Sequence, residues 1–184
     1  MARNDVLIIG AGPSGLFAAA ELGRPGVDVR LIEREVRPHH EARATAIQPG
    51  TLESFDSVGL LPPFLEAAEH VRRVRVYGPD FSELSGLDFE GIDCRCEFQC
   101  SFPQYETQRI LEAHLASLGG MVELGVTATK VEPDADDVQV ELEHADGGIE
   151  MVHPSVVIGA GGACCHDYGK HRATSFPANL SDKR

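Results

Sequence analysis

The chain has 184 residues, enough for one domain with a substantial core, and its 42% hydrophobic content is that of a soluble globular protein. Acidic residues outnumber basic ones 29 to 16, and a formal charge of -13 argues against a nucleic-acid backbone as partner. No apolar run reaches the roughly 20 residues of a membrane helix, and Gly10, Gly12 and Gly15 cut the first apolar stretch. Neither a membrane partner nor a signal peptide is therefore read, and a cytoplasmic protein is expected.

Asp5 opens an unbroken apolar run ending at Gly10, which predicts a strand buried on both faces of a parallel sheet. Residues 14–22 predict a helix, with Leu16, Ala19 and Ala20 at helical spacing and Gly23 as its stop. Pro25-Gly26 turns the chain into a second strand over 27–32, closing a βαβ unit of about 30 residues. The stretch 33–48 is polar and holds Arg34, Arg37, His39, His40 and Arg43. Short helices are expected over 51–57 and 62–70. A half-exposed strand over 71–77 then alternates valine with arginine, and 80–93 reads as loop and weak strand.

Residues 107–118 predict a helix whose apolar stripe is Ile110, Leu111, Leu115 and Leu118, ended by Gly119-Gly120. Three strands follow over 121–131, 138–144 and 150–153, with turn signals at Pro133-Asp134 and Asp146-Gly147-Gly148. Eight acids lie between Glu132 and Glu150 with no lysine or arginine among them, which reads as a solvated hairpin edge. A last buried strand over 155–158 leads into Gly159-Ala160-Gly161-Gly162. Residues 164–184 lack apolar periodicity and read as an irregular or disordered tail.

Five cysteines, Cys94, Cys96, Cys100, Cys164 and Cys165, give an odd count that suits free thiols better than a disulfide framework. Paired C-x2-C knuckles are absent, so no metal site is expected; alternation through Cys94, Cys96, Phe98 and Cys100 reads as one face of a strand.

The chemistry concentrates in Gly10-Ala11-Gly12-Pro13-Ser14-Gly15, a G-x-G-x-x-G that follows a buried strand and opens a helix inside a βαβ unit. Gly10 permits the tight turn, Gly12 lets the backbone approach a pyrophosphate, and Gly15 lets helix and strand pack closely. The helix start adds unpaired N–H groups and positive potential. Glu33, at the end of the second strand, can accept hydrogen bonds from both ribose hydroxyls of an adenosine. No catalytic residue is read: Gly12-Pro13-Ser14-Gly15 is not G-x-S-x-G, and His39-His40 read as a solvated pair.

Residues 5–16, with Leu22, Gly26, Val29, Glu33 and Arg34, resemble the FAD-binding fingerprint of flavoprotein monooxygenases. More specifically, they resemble the aromatic-hydroxylase family typified by para-hydroxybenzoate hydroxylase and the phenol and polyketide hydroxylases. The segment from Arg43 to Glu53, leading to Val58-Gly59-Leu60, is similar to the family's arginine segment and following helix. Gln108-Arg109-Ile110-Leu111-Glu112 resembles its glutamine-bearing helix start. The resemblance runs over residues 4–163. It implies an α/β, Rossmann-like (GR2-type) FAD-binding fold with a parallel sheet plus an antiparallel β portion. It also implies FAD as cofactor, NAD(P)H as co-substrate, and a small aromatic substrate hydroxylated with O2. By the same resemblance Glu33 meets the adenosine ribose and Arg34 lies along the adenine, while Arg43 and Gln108 meet the pyrophosphate and ribityl region.

The family's next motif is G-A-D-G followed by a serine and an arginine. Gly159-Ala160 fits, but Gly161, Cys165 and Tyr168 stand at the aspartate, serine and arginine positions. Family members are about twice this long, so an N-terminal portion is expected, binding FAD weakly and hydroxylating poorly on its own. Residues 1–163 would form the FAD-binding domain, with part of a substrate-domain sheet over about 71–103, and 164–184 the tail. The rival readings are a non-catalytic dinucleotide-binding module derived from the fold, and an FAD-linked oxidase or NAD enzyme of ketoreductase type. Oligomeric state stays open.

Overall fold

The computed structural model describes residues 5–36, 45–133 and 138–162. An apolar run with no polar face has nothing to offer water, and it forms β1 (Val6–Ile9), all four residues buried. α1 (Pro13–Gly23) follows, with proline in its first turn where the missing N–H is harmless. β2 (Val29–Glu33) returns parallel to β1, setting Val6 against Val29 and Ile9 against Ile32.

The next stretch carries β3 (Ala46–Ile47), α2 (Pro49–Ser57), α3 (Leu61–Ala67), β4 (Glu69–Val71), β5 (Arg73–Tyr77), β6 (Glu83–Asp88) and β7 (Gln99–Ser101). β7 lies antiparallel between β3 and β4, while β5 and β6 form a separate hairpin. The expected helix over 62–70 stops at Ala67, because Ala68 turns extended and His70 is drawn into β4. There His70 pairs with Cys100 and stacks on Phe98 with ring centroids 4.3 Å apart. The single strand expected over 71–77 is two strands of two sheets: the ladder breaks at Arg72, whose carbonyl accepts the Phe89 N–H at 2.9 Å. The weak strand within 80–93 is β6, exposed along its whole length.

The expected cysteine strand also contracts, to Gln99–Ser101. Ahead of it the Arg95 N–H donates to the Glu53 carboxylate at 2.9 Å, which fastens the segment to α2 instead of a neighbouring strand. Cys96 and Cys100 are buried nonetheless, in the core that also holds Phe55, Phe64 and Phe102. Phe55 stacks on Phe64 at 4.6 Å, and Phe17 and Phe102 meet this pair edge-on at 5.4 and 5.8 Å. Burial pushes the Cys100 thiol up to about 11.

The remaining elements are α4 (Gln104–Ser117), β8 (Val122–Leu124), β9 (Val126–Pro133), β10 (Val138–His144), β11 (Ile149–Val152) and β12 (Val156–Gly159). α4 buries Thr107, Leu111 and Leu115, whereas Leu118, expected in the stripe, lies past the helix end and is 42% exposed. The strand expected over 121–131 divides at Gly125 (φ +70°), where the chain leaves one sheet for another. β8 extends the parallel sheet beside β2, giving the order β12-β1-β2-β8; β9, β10 and β11 form an antiparallel meander. The turn over Asp146-Gly147-Gly148 is present; Asp134 and residues 163–184 lie outside the described residues.

Alternation along β1 and β2 assigns their two faces to two cores. Val6, Ile8 and Leu31 pack with the helices, and Leu7, Ile9 and Ile32 pack with Val126, Ala128, Val140, Leu142 and Val152 of the meander. The parallel sheet is thus the middle of three layers. On its meander side Arg30 bonds two carboxylates, Glu123 at 2.8 and 2.9 Å and Glu150 at 2.8 Å through both oxygens. Glu150, read as part of a solvated edge, is therefore a tie between sheets. Hydrogen bonds from Arg30 hold its carboxyl down at about 2. Among the described residues no helix is long and apolar enough to cross a membrane.

Candidate functional site

In an open α/β sheet, ligands bind beyond the carboxyl ends of the strands. Here those ends bring Gly10, Glu33, Leu124 and Ala160 to one cleft of about 550 Å³. Gly10 sits at φ +107°, and a Cβ there would come within 2.7 Å of the Ala160–Gly161 backbone. A Cβ on Gly15 would lie 2.0 Å from the Gly10 carbonyl oxygen, so helix and strand can approach this closely only through glycine. Gly12 differs: a Cβ there would meet only the Ala160 carbonyl oxygen, at 3.9 Å. It opens onto the cleft, beside Ala11, Pro13 and Ser14. The first backbone bond of α1 runs from Leu16 N–H to Gly12 C=O at 3.0 Å, so the Ser14 and Gly15 amides precede the helix ladder.

The Glu33 carboxylate is fixed at this turn. One oxygen accepts the Ala11 N–H at 2.8 Å and the other the Glu35 N–H at 3.2 Å. A carboxylate has about four acceptor sites, so two backbone bonds leave capacity for a sugar diol. Arg34 also lines the cleft, with its Nε 3.4 Å from the Glu35 carboxylate.

α4 closes the cleft from the helix side. Its residues 104, 108, 112 and 116 recur every four positions, so Gln104, Gln108, Glu112 and Ala116 share one stripe facing the cleft. This stripe lies about 100° round the helix from the buried Thr107, Leu111 and Leu115. The Gln108 side-chain amide donates to the Ala11 carbonyl at 3.3 Å, joining α4 to the glycine turn. Burial raises the pKa of Glu112.

The structure therefore gathers Gly10, Ala11, Gly12, Pro13, Ser14, Glu33, Arg34 and Gln108 around one cleft, with Gly15 beneath it as a packing residue. Arg43 lies outside the described residues. Sequence reasoning passed over Gln104 and Glu112, although the four-residue repeat from Gln108 in both directions was there to find them. The donor set fits a dinucleotide: an open glycine and helix-start amides for a diphosphate, and a carboxylate held in place for a ribose.

A family model described as an FAD binding domain matches residues 3–166. An uncharacterized aromatic compound monooxygenase of Bacillus subtilis is 33% identical, over 89% of this chain and 32% of its own length. The rifampicin monooxygenase of Rhodococcus hoagii is 33% identical, over 96% of this chain and 35% of its own. Among solved structures, the anhydrotetracycline hydroxylase OxyS of Streptomyces rimosus superposes with a TM-score of 0.76 at 30% identity. It covers 86% of this chain and 31% of that one. The flavin-dependent monooxygenase PieE, solved with FAD and substrate, gives 0.75 at 25% identity, covering 89% and 31%. The chain spans about a third of the length of the curated relatives it matches.

Proposed function

The chain belongs to the FAD-binding domain family of the flavin-dependent aromatic monooxygenases, and from that premise we propose that it is the cofactor-holding part of an enzyme that hydroxylates an aromatic ring. The names of its relatives, a pentachlorophenol 4-monooxygenase and the anhydrotetracycline hydroxylase among them, support a phenolic or polyketide-like substrate. NAD(P)H would serve as reductant and O2 as oxidant, and bound FAD supplies the redox chemistry. The protein's own task is to hold the cofactor and keep water from the reacting ring. In this reading residues 71–103 contribute to a substrate domain. A cytoplasmic setting, where NAD(P)H is available, suits the unpaired Cys96 and Cys100.

Gly12 and the Ser14 amide receive the diphosphate, with the positive end of α1 behind them. Glu33 takes the ribose hydroxyls, Arg34 lies along the adenine, and Gln108 steadies the turn through Ala11, with Arg43 assigned to the diphosphate side. The observation that carries this reading is the Glu33 carboxylate, already aimed at the turn by the Ala11 N–H. Glu33→Ala removes charge-assisted bonds worth about 1.5–3 kcal/mol, so FAD affinity should fall on the order of ten- to a hundredfold. Quenching of flavin fluorescence on titration reads this directly, and equal affinity in the variant would overturn the assignment. The rival reading, a dinucleotide-binding module without catalysis, draws on Gly161 at the position of the family's aspartate. Bound FAD without any NAD(P)H-dependent hydroxylation, in a chain extended to its relatives' length, would favour it.

A further inference from the structure

A helix that packs on a sheet ordinarily turns apolar side chains towards it, yet the cleft-facing stripe of α4 is Gln104, Gln108 and Glu112 before it turns apolar at Ala116. The two amides are neutral and can both donate and accept. Glu112 is an acid in a cleft whose glycine turn is built for an anion. Among the described residues, burial is the one cause moving its proton affinity. Among the described residues, the other charged side chains lining the cleft, Glu33, Arg34 and Glu35, stand together at the end of β2. Charges on the elements around Glu112 are engaged elsewhere. Glu21 on α1 pairs with Arg24, Arg109 on α4 pairs with Glu106, and Glu123 on β8 is taken by Arg30. His114 lies half-buried two positions along α4, away from the stripe.

We propose that Glu112 tunes cofactor affinity by its charge: protonated, it lets the cleft accept a diphosphate-bearing dinucleotide, and ionised, it opposes one. The proposal rests on the reading of the cleft as the FAD site. Two negative phosphates across a partly desolvated cleft from a carboxylate feel a repulsion that solvent screens only in part. Because burial raises the carboxyl's pKa, the change from neutral to charged comes at a higher pH than in a free carboxyl. Affinity for FAD should therefore fall as pH rises.

The test is FAD titration of the whole 184-residue chain by flavin fluorescence, from the ordinary carboxyl range at about pH 4.5 up to 8.5, in wild type, Glu112→Gln and Glu112→Ala. Wild-type affinity is expected to weaken roughly three- to tenfold across that range. Both variants should stay flat, near the wild-type value at the acid end, with unchanged circular dichroism. Variants that keep the wild-type slope overturn the proposal. So do variants that bind more weakly than wild type throughout, which would make the carboxylate a direct hydrogen-bonding partner of the cofactor. A wild-type chain that takes up no FAD at any pH fails at the earlier step, and both the cofactor reading and this inference then fall.

Discussion

The two faces of the parallel sheet are held by different physics. Towards the helices the filling is apolar and aromatic, with Phe64 wholly buried at the centre of the ring cluster and Cys100 beside it. Towards the meander the aliphatic filling is smaller, and Arg30 reinforces it by joining Glu123 of the same sheet to Glu150 of the other. The first face depends on excluded water and close packing. The second depends on charge as well, and so on conditions that leave packing untouched. One sheet thus presents two kinds of vulnerability on opposite sides of the same strands.

The largest effect expected from this contrast is Phe64→Ala. It empties the middle of the aromatic column and should cost about 3–5 kcal/mol, read as a shift in urea midpoint that salt does not alter. A loss below about 1 kcal/mol would mean that the helix face tolerates a void and that the contrast is misplaced. Next comes Arg30→Met, which leaves two carboxylates facing each other without a cation. Their partial exposure tempers the penalty to about 1–3 kcal/mol. Adding Glu123→Gln and Glu150→Gln to that variant should restore much of the loss, since no unpaired charge then remains. Triple and single variants of equal stability would show that Arg30 contributes through its stem and not its charge.

The smallest effects concern pH, and they run in opposite directions on the two faces. Glu150, held at about 2 in the folded chain against 4.5 ordinarily, contributes stability that is present above 4.5. That contribution is lost as pH falls towards 2. Cys100, held at about 11 against 9.0, contributes stability that is present below 9.0 and is lost as pH rises towards 11. Urea midpoints measured across both ranges should therefore fall less steeply in acid for Glu150→Gln, and less steeply in alkali for Cys100→Ala, than for wild type. Parallel curves in either limb would remove that group from the comparison.

The cleft was legible from sequence wherever its geometry is local. Gly15 answers a steric demand set by Gly10 five residues before it, Gly10 a positive φ at the turn itself, and Glu33 follows from the length of one βαβ unit. The order of strands, helices and turns was mostly legible too, because alternation and helical spacing are properties of short windows. Membership of a sheet is not such a property. The run 121–131 alternates acceptably throughout, and only the positive φ of Gly125, between Ala145 and Val36, divides it between two ladders. Arg72 interrupts 71–77 in the same way, through a carbonyl committed to Phe89. His70 and Arg95 were misread because their partners, Phe98 and Glu53, lie far along the chain. The acidic stripe position on α4 was within reach of the four-residue repeat from Gln108, but that repeat marks a helix face and only the folded sheet edge makes the face a cleft wall.

Because neighbouring residues of β2 serve different layers, the strand has almost no tolerance for a change in length. One extra codon between Arg30 and Leu31 would swap the occupants of the two sides for the rest of the strand, turning Leu31 to the meander and Ile32 to the helices. It would also carry Glu33 one step past the glycine turn. The β5–β6 hairpin, whose second strand is exposed along its length, has no such double duty. Insertions and deletions should therefore accumulate at that hairpin's tip and be purged from β2, a contrast visible in a library of single-residue indels selected for soluble expression.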